Sequence, residues 1–388
     1  MIAIDPKVET LRAQLPAVLG TAYFNAGSNG PIPRVAIDAL VAAARAECEV
    51  GRIVPGAYEG NRGRNRRVAA LIAELFNADA SEIALTHSTA EGLSTALNGI
   101  AWRPGDEIVT TNLEHPGLTV PLCLLAHRYG VVIRYADIGH GGGDVVGAIA
   151  ERMTARTRVV ALSHLMWSSG AVVPLAEVTA EAHRRGAMVI VDGAQSGGQV
   201  PIDLHGLGVD AYAVSRQKWL CGPEATGALY VRRDRLADIA PTYLRYAQFD
   251  LSGYLIPVEG AMRYEIGEFY GPSILALEAA LIWLRDEVGF DWAYERSVTL
   301  GRRCWDGLSE VPGVTVTTPR ERMAGLVCFA VEGMPPQDLA AKLYERGMTI
   351  RYVALAPGPT VARVATGWWN TEEEVDALVA AVGDIASN

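Results

Sequence analysis

Lysine is scarce in this sequence, and long runs of basic residues are absent. Only Lys7, Lys218 and Lys342 occur among 388 residues, and 44 acidic against 34 basic residues give a formal net charge of -10. Because a phosphate backbone is bound by a concentrated positive surface, this charge pattern argues against nucleic acid as a partner.

Cysteine pairs and long apolar runs are missing as well. The five cysteines are widely spaced and form no Cys-x-x-Cys pair; they are Cys48, Cys123, Cys221, Cys304 and Cys328. This pattern argues against a disulfide framework or a zinc site and is typical of a reducing cytoplasm. No apolar run approaches the length of a bilayer span, and the amino terminus lacks the basic start and apolar core of a signal peptide. We therefore expect a cytoplasmic protein without membrane contact or a bound metal.

What the sequence does contain, from residue 82 onward, is an alternation of strand and helix patterns. Strands are predicted at residues 82–86, 106–112, 131–135, 159–163, 188–192, 209–215 and 227–231. Helices are predicted at residues 34–50, 65–76, 93–100, 117–129, 144–155 and 175–186. This order predicts the α/β fold class, with a mostly parallel, doubly wound sheet joined by right-handed crossovers.

The pattern changes after about residue 235, which predicts a second domain. Helices near residues 272–287 and 290–308 are followed by strands near 324–331, 348–353 and 361–365 and by a closing helix from Glu372. This order is typical of a smaller α+β domain. We expect a large domain at residues 23–260, a small carboxyl-terminal domain at 261–388, and an amino-terminal segment at 1–22 that packs with the small domain.

Two strand ends carry polar groups that are costly to bury. Asp192 ends one apolar strand pattern, and Lys218 follows shortly after the strand that ends at Ser215. A lysine is almost never buried unless it is paired or put to use, and a buried carboxylate must meet a cation or a donor. Open α/β sheets bind ligands at the carboxyl ends of their strands, so Lys218 is placed to meet a ligand. A structurally paired lysine is the alternative.

Three further segments carry candidate site residues, each with a plainer alternative. Ser88 and Thr89 lead from a strand into a helix, where they either bind a phosphate or cap the helix. His115 follows another strand and is either a hydrogen-bonded structural residue or a flat ring that covers an aromatic cofactor. Asn29 lies in a loop dense in turn residues, which either connects elements or contacts a substrate.

The order of these signals, together with five longer motifs, resembles a known family. The motifs are Gly105-Asp-Glu-Ile-Val, Glu114-His-Pro-Gly, Asp192-Gly-Ala-Gln-Ser, Lys218-Trp-Leu-Cys-Gly-Pro and Arg363-Val-Ala-Thr-Gly-Trp-Trp-Asn-Thr-Glu-Glu-Glu. From about Tyr23 to the final helix, the chain resembles the class V aminotransferase group of fold-type I pyridoxal phosphate enzymes. Within that group it is most similar to the cystine carbon-sulfur lyases and the isopenicillin N epimerase-like proteins.

The resemblance implies a fold-type I architecture, pyridoxal 5'-phosphate as cofactor and a role for each candidate. Lys218 would hold the cofactor as a Schiff base and shuttle the α proton, while Asp192 would pair with the pyridine nitrogen. His115 would stack on the ring and complete the catalytic set. The other implied contacts are Gln195 with the ring's phenolic oxygen; Ser88, Thr89, Ser215 and Gln217 with the phosphate; and Arg363, through its bidentate fork, with the substrate carboxylate. Asn29 is the second candidate for substrate binding.

Two positions depart from the pattern of this group. Its members often carry histidine immediately before the lysine as a phosphate ligand, whereas here Gln217 can donate a hydrogen bond but carries no charge. A threonine contributed across the dimer commonly follows the glycine that matches Gly267, and here Glu268 takes that place. A carboxylate would repel the phosphate, so we expect Glu268 to point elsewhere.

The resemblance also implies how the protein assembles. Members of the group form homodimers with shared active sites. Here an arginine-rich segment at residues 62–67 and a tyrosine-rich stretch after residue 235 are the candidate contributors. A solvated helix face is the alternative for the arginine-rich segment.

The reaction is predicted from what the segment ahead of Arg363 lacks. Cysteine desulfurases need a nucleophilic cysteine there, but residues 352–362 contain none, and Cys328 lies in an apolar run predicted to be a core strand. We therefore expect a carbon-sulfur β-lyase acting on cysteine, cystine or a cysteine conjugate, since the leaving group then departs from the substrate's own β carbon. An amino-acid epimerase or aminotransferase is the alternative among enzymes. A catalytically silent binding protein of this fold is the alternative outside them.

Overall fold

A computed structural model describes residues 5–244, 258–354 and 360–387 of the chain. Its strands are β1 (Ala22–Tyr23), β2 (Ile83–Thr86), β3 (Glu107–Thr111), β4 (Val132–Ala136), β5 (Thr157–Ser163), β6 (Met188–Asp192), β7 (Ala211–Ser215), β8 (Gly227–Val231), β9 (Val314–Val316), β10 (Leu326–Val331), β11 (Met348–Thr349), β12 (Arg351–Ala354) and β13 (Thr360–Ala365). Its α-helices are α1 (Pro6–Arg12), α2 (Arg34–Val50), α3 (Ala57–Leu75), α4 (Thr89–Asn98), α5 (Pro116–Tyr129), α6 (Val145–Arg152), α7 (Leu175–Arg184), α8 (Leu204–Leu207), α9 (Gly271–Trp283), α10 (Phe290–Ser309), α11 (Pro336–Glu345) and α12 (Glu372–Ala386).

Seven strands form the main sheet, in the order β2-β8-β7-β6-β5-β3-β4. Neighbouring strands from β7 to β4 run parallel, and only β8 runs against its two neighbours, β7 and β2. The predicted α/β class with a mostly parallel seven-stranded sheet is therefore confirmed. Because parallel strands end at the same edge, the sheet collects the residues that follow several strands into one crevice.

Alternation along the central strands explains why helices cover both faces of this sheet. In β6, Val189 and Val191 pack into one hydrophobic cluster with α3, α6 and α7. Met188 and Ile190 point to the opposite face and pack with α4 and α5. Successive side chains of a strand point to opposite faces, so a continuous apolar run requires cover on both sides.

A second, antiparallel sheet has the order β12-β13-β10-β9 and packs against α10, α11 and α12. The amino-terminal part of the chain joins this region, since β1 pairs parallel with β11 and Phe24 lies in the same core. In the other direction, α9 packs on α2 and α3 beside the main sheet. The domain boundaries at residues 22/23 and 260/261 stay predictions.

Differences from the predicted elements fall at element ends. The helix predicted at 65–76 begins earlier, at Ala57, directly after Gly56, whose positive φ of 83° ends the preceding turn. The strand predicted at 348–353 is divided into the short strands β11 and β12. The helix predicted at 272–287 is α-helical to Trp283 and continues as one wider π-helical turn over Leu284–Val288.

Some of the predicted features lie outside the described residues. Tyr246 and Tyr254 of the tyrosine-rich stretch belong to residues 245–257, and residues 355–359 precede Arg363. Among the helices of the described ranges, none combines the length and apolar character needed to cross a bilayer.

Candidate active site

The candidate site lies at the carboxyl edge of the main sheet, where five segments meet. Asp192 ends β6, and Lys218 follows β7 through a tight turn. His115 precedes α5 after β3, while Ser88 precedes α4 after β2. Arg363 reaches the site from β13 of the second sheet. The structure thus brings together residues that are up to about 275 positions apart in the chain.

Backbone hydrogen bonds hold the turn that carries Lys218. The carbonyl of Gln217 accepts a hydrogen bond from the amide of Gly30 at 2.7 Å, and the carbonyl of Lys218 accepts one from Cys221 at 3.2 Å. A side chain at position 30 would place its Cβ 1.9 Å from the Lys218 carbonyl oxygen, so this close approach requires glycine. The loop around Asn29 therefore locates the lysine.

The Lys218 ammonium itself is left available. It is half-buried, and within the described residues it makes no hydrogen bond or ion pair. Burial lowers its pKa to about 8; the carboxylate of Asp192 opposes this shift, and the nearby cation of Arg363 adds to it. A lysine with such a pKa offers a substantial fraction of neutral, nucleophilic amine near neutral pH.

Asp192 is only 4% exposed and has few partners of its own. Its Oδ1 accepts a hydrogen bond from the amide of Ala194 at 2.9 Å, and no other donor among the described residues bonds to the carboxylate. Burial raises the pKa of Asp192, whereas the Ala194 amide and the Lys218 charge act in the opposite direction. A buried carboxylate with one hydrogen bond is suited to a cationic partner.

Gln195 is oriented by two contacts. Its Nε2 donates to the carbonyl of Gly27 at 2.8 Å, and its Oε1 accepts from Nε1 of Trp219 at 3.1 Å. An amide nitrogen carries two hydrogens, so Gln195 retains one donor for a ligand. The Trp219 contact also ties Gln195 to the residue that follows Lys218.

His115 caps helix α5 and presents a neutral ring. Its Nδ1 accepts a hydrogen bond from the amide of Gly117 at 2.9 Å. Burial lowers its pKa to about 4, and the positive charges of Lys218 and Arg363 contribute to the shift. Trp167 packs edge-on against the imidazole, with ring centroids 4.7 Å apart. The structural and the cofactor-covering interpretations of His115 are compatible, since the cap leaves the faces of the ring free of hydrogen bonds.

The phosphate candidates meet at the start of α4. The Oγ of Ser88 accepts a hydrogen bond from the amide of Glu91 at 3.1 Å, so Ser88 is the helix cap. The hydroxyls of Thr89 and Ser215 lie 2.6 Å apart, which joins the first turn of α4 to the end of β7. A helix start flanked by hydroxyl groups is suited to an anion. The nearby Gln217 has a buried Oε1 with no hydrogen-bond partner in the described part of the chain.

Arg363 is buried, yet much of its guanidinium is unengaged. Nη1 donates to the carbonyl of Trp167 at 3.2 Å and Nη2 to the hydroxyl of Ser28 at 3.4 Å, while Nε has no partner among the described residues. Burial lowers the pKa of Arg363 to about 10, so the group stays charged at neutral pH. A charged, partly unpartnered fork at a cleft is suited to a carboxylate.

Asn29 is placed differently from the other candidates. Its side chain is exposed, and its Nδ2 donates to the carboxylate of Glu224 at 2.9 Å. The hydroxyl of Tyr23 donates to its backbone carbonyl at 2.7 Å. These contacts favour turn formation, and its assignment to substrate binding stays a prediction. Glu268 is exposed in the single chain, and the expectation that it points away from a phosphate stays a prediction.

Sequence reasoning did not assign a role to Glu114, the residue before His115. Its buried carboxyl group accepts hydrogen bonds from the hydroxyl of Thr111 and from the amide and hydroxyl of Ser163. Burial raises its pKa to about 7, the hydrogen bonds oppose the shift, and the charge of Asp192 adds to it. Glu114 thus ties the end of β3 to the end of β5. The Glu114-His-Pro-Gly motif is the sequence feature that could have pointed to this residue.

The fold is that of a solved carbon-sulfur lyase that uses pyridoxal phosphate. The structure superimposes on the cystine C-S lyase C-DES, solved in complex with its reaction product cysteine persulfide, with a TM-score of 0.91. The two chains are 32% identical, over 96% of this chain and 99% of C-DES. The same figures hold for a lysine-to-alanine mutant of C-DES in which glycine is covalently linked to the PLP cofactor.

Sequence comparisons identify the family. The profile of the aminotransferase class-V family matches residues 33–378, so the chain belongs to that family. A "Probable cysteine desulfurase" of Halalkalibacterium halodurans is 30% identical over 346 residues, which span 85% of this chain and 82% of the relative. A "Cysteine desulfurase" of an Enterobacter species is 29% identical over 396 residues, or 96% of each chain. The predicted family is confirmed, and with it the expectation of a pyridoxal phosphate enzyme.

Replacing Gly30 with alanine tests how the lysine is positioned. We expect Gly30→Ala to lower the affinity for pyridoxal phosphate by about 100-fold, because its Cβ would push the Lys218 backbone away by an ångström or more. Gly20→Ala is the matched control, since a Cβ at that position meets nothing within 4 Å. Titration of each apoprotein with the cofactor measures the effect. Equal affinities in the two variants would contradict the assignment.

Proposed function

We propose that this protein is a pyridoxal phosphate-dependent carbon-sulfur β-lyase that acts on cysteine, cystine or a cysteine conjugate. The observation that carries the proposal is the Lys218 ammonium, which is half-buried near Asp192 and held by no other side chain of the described residues. A lysine so placed, with its pKa lowered, is typical of a functional amine rather than of packing.

The unpartnered groups of the site fit pyridoxal phosphate. The amine of Lys218 would hold the aldehyde carbon of the cofactor, and Asp192 would meet its protonated ring nitrogen. Gln195 retains an amide hydrogen for the phenolic oxygen. Thr89 and Ser215 present adjacent hydroxyls for the phosphate at the start of α4.

Asp192, Lys218 and His115 have separate proposed roles in the reaction. When bound, the cofactor supplies an electron sink for the substrate's α carbon. Asp192 would keep the ring nitrogen protonated, which would strengthen that sink. Lys218 is the proposed acid and base at the α carbon, since an amine with a pKa of about 8 exchanges protons readily near neutral pH. His115, neutral because of its lowered pKa, would cover the ring without adding a charge.

Arg363 is the proposed anchor for the substrate's α-carboxylate. Its Nε has no partner among the described residues, and Asp192 is assigned to the ring nitrogen, which leaves the guanidinium available for the substrate. Gly27 leaves room for the guanidinium, since a Cβ there would lie 2.8 Å from Nη2. Fixing the carboxylate orients the α carbon toward Lys218 and leaves the sulfur-bearing side chain to the rest of the pocket.

The position of Cys328 favours elimination over transfer of sulfur to an enzyme thiol. Cys328 is fully buried in β10, where it pairs in register with Arg363, and burial raises its pKa to about 12. A neutral, buried thiol is a poor nucleophile. The relative C-DES is named as a cystine C-S lyase, which supports a leaving group carried by the substrate itself.

Assays with purified protein test the proposed reaction. We expect pyruvate and a released sulfur product from cystine or another cysteine derivative, and a visible absorption band from the bound cofactor. Lys218→Ala should lower the rate by about 100- to 10,000-fold, because it removes both the covalent anchor and the acid-base group, and borohydride should no longer fix the cofactor to the protein. Ordinary amino acids are assayed in parallel for epimerisation and transamination. Activity confined to those substrates, with no pyruvate from any sulfur compound, would refute the lyase proposal.

Cys328→Ala provides the control for sulfur transfer to the enzyme. The variant should keep the pyruvate-forming rate within about threefold of the unmodified protein, because the thiol lies in the core and takes no part in elimination. The free energy of unfolding, measured in urea, is expected to fall slightly. A variant that folds and binds cofactor but no longer releases sulfur would point to a cysteine desulfurase.

We propose further that the protein is a homodimer. Val50, Ile53 and Tyr58 are exposed between the end of α2 and the first turn of α3, and Arg62 and Arg66 of α3 line part of a cavity of about 290 Å³. Such a patch of apolar and cationic groups is typical of an interface. Light scattering should give about twice the 41.5 kDa of one chain, and Ile53→Asp should halve that mass. Tyr344→Asp, at an exposed position of α11, is the control and should leave the mass unchanged. A monomer in the unmodified protein would refute the proposal.

A cytoplasmic location is also proposed. All five cysteines are unpaired, and two of them, Cys48 and Cys123, are exposed. Free exposed thiols suit a reducing compartment. Cell fractionation should recover the enzyme with soluble cytoplasmic markers, and recovery with the membrane or secreted fraction would contradict this location.

A further inference from the structure

Arg216 lies between two residues of the phosphate site, but its side chain has no ordinary partner. The residue is 0% exposed, and its Nε and Nη1 have no hydrogen-bond partner in the described part of the chain. Its Nη2 donates to the carbonyl of Thr86 at 3.3 Å, and this is its single side-chain hydrogen bond to a described residue. A fully buried guanidinium with two unused nitrogens is costly unless an anion compensates it.

The two carboxylates that interact with Arg216 electrostatically have other hydrogen-bond partners. Glu91 Oε2 accepts from the backbone and ring nitrogens of His87, both at 2.9 Å, and Glu265 Oε1 accepts from the amide of Leu85 at 3.2 Å. Both carboxylates offset part of the charge of Arg216 through space, and Glu91 Oε1 is buried without a hydrogen-bond partner, but neither forms an ion pair with the guanidinium among the contacts of the described residues. The charge of Arg216 is therefore not matched by a direct contact within this part of the chain.

The position of Arg216 in the backbone links it to the anion site. Its neighbours are Ser215, whose hydroxyl lies 2.6 Å from that of Thr89, and Gln217, whose amide group has an unpartnered oxygen. Its guanidinium bonds to Thr86, the last residue of the strand that leads into α4. Apart from Arg216, the segments that form this site contribute hydroxyls, an amide and a helix start, none of which carries a full positive charge.

We propose that Arg216 supplies, from the buried side of the site, the positive charge that balances the phosphate group of pyridoxal phosphate. This inference rests on the proposed function, because it takes that phosphate as the anion at the start of α4. A phosphate dianion gains more from a nearby cation in a buried site than from hydroxyls alone. The charge that Gln217 does not carry is thus provided by the residue before it.

The test compares the affinity for pyridoxal phosphate with that for pyridoxal, which lacks the phosphate. Apoproteins of the unmodified chain, Arg216→Met and Arg216→Lys are titrated with each compound, and the ratio of the two dissociation constants is taken. We expect Arg216→Met to lower this phosphate preference by about 10- to 100-fold, the size of a lost charge-assisted hydrogen bond. Arg216→Lys should retain most of the preference, because it keeps the charge.

Controls separate this role from a structural one. Arg158→Met removes an arginine whose ion pair with Asp106 lies away from the site, and it should leave the ratio unchanged. If Arg216→Met does not fold, Arg216→Gln, which is polar but carries no charge, replaces it. A folded, neutral variant that weakens both compounds equally, or neither, would overturn the inference while leaving the proposed function intact. An unmodified protein that binds neither compound would overturn both.

Discussion

A half-buried amine and a buried carboxylate at one edge of the sheet impose the strictest constraint on this structure. Asp192 and Lys218 would each be costly to bury alone, and the adjacent strands β6 and β7 deliver them to the same crevice. Much of the surrounding structure holds the two groups in place without neutralising them. The Gly30 amide fixes the lysine turn, and Trp219 fixes Gln195 beside it.

The second sheet completes the site and is coupled to the first by aromatic contacts. Arg363 lies in β13. Trp369, in the loop that follows β13, stacks on Trp219 with ring centroids 6.3 Å apart. Trp219 comes directly after Lys218 in the chain. A shift of β13 would therefore disturb both the guanidinium of Arg363 and the lysine turn. The proposed anchors for substrate and cofactor thus depend on one packed interface between the two sheets.

The charged groups around the site are mostly positive, although the protein as a whole is negative. The chain has a formal net charge of -10, yet Lys218, Arg363 and Arg216 are cations buried at or beside the site. In each case burial lowers the pKa, because a buried positive charge is less stable than one in water. Without a bound anion, these three charges therefore destabilise the folded protein. A phosphate and a substrate carboxylate would relieve that cost. The arrangement explains how an acidic protein can bind anionic ligands selectively.

The element order and most of the candidate site could be predicted, because both depend on local patterns. Apolar runs of strand length defined the sheet, and the scarcity of lysine singled out Lys218. Contacts between distant segments could not be read in the same way. The Asn29 amide bonds to Glu224, which is nearly 200 positions away, although its loop has the composition of a binding loop. The contact between Trp167 and His115 likewise joins two segments that are separate in the sequence.

The sequence alone determined which chemical groups stand at the strand ends, since strand periodicity and the turn residues that follow are local properties of the chain. Only the tertiary structure decided which of those groups are satisfied. Gln195 is hydrogen-bonded to Gly27 and Trp219, whereas Arg216 is buried without a direct counter-charge in the described residues. The physical reason is that the cost of a buried polar or charged group depends on its neighbours in space, and these are set by the packing of two sheets rather than by spacing along the chain.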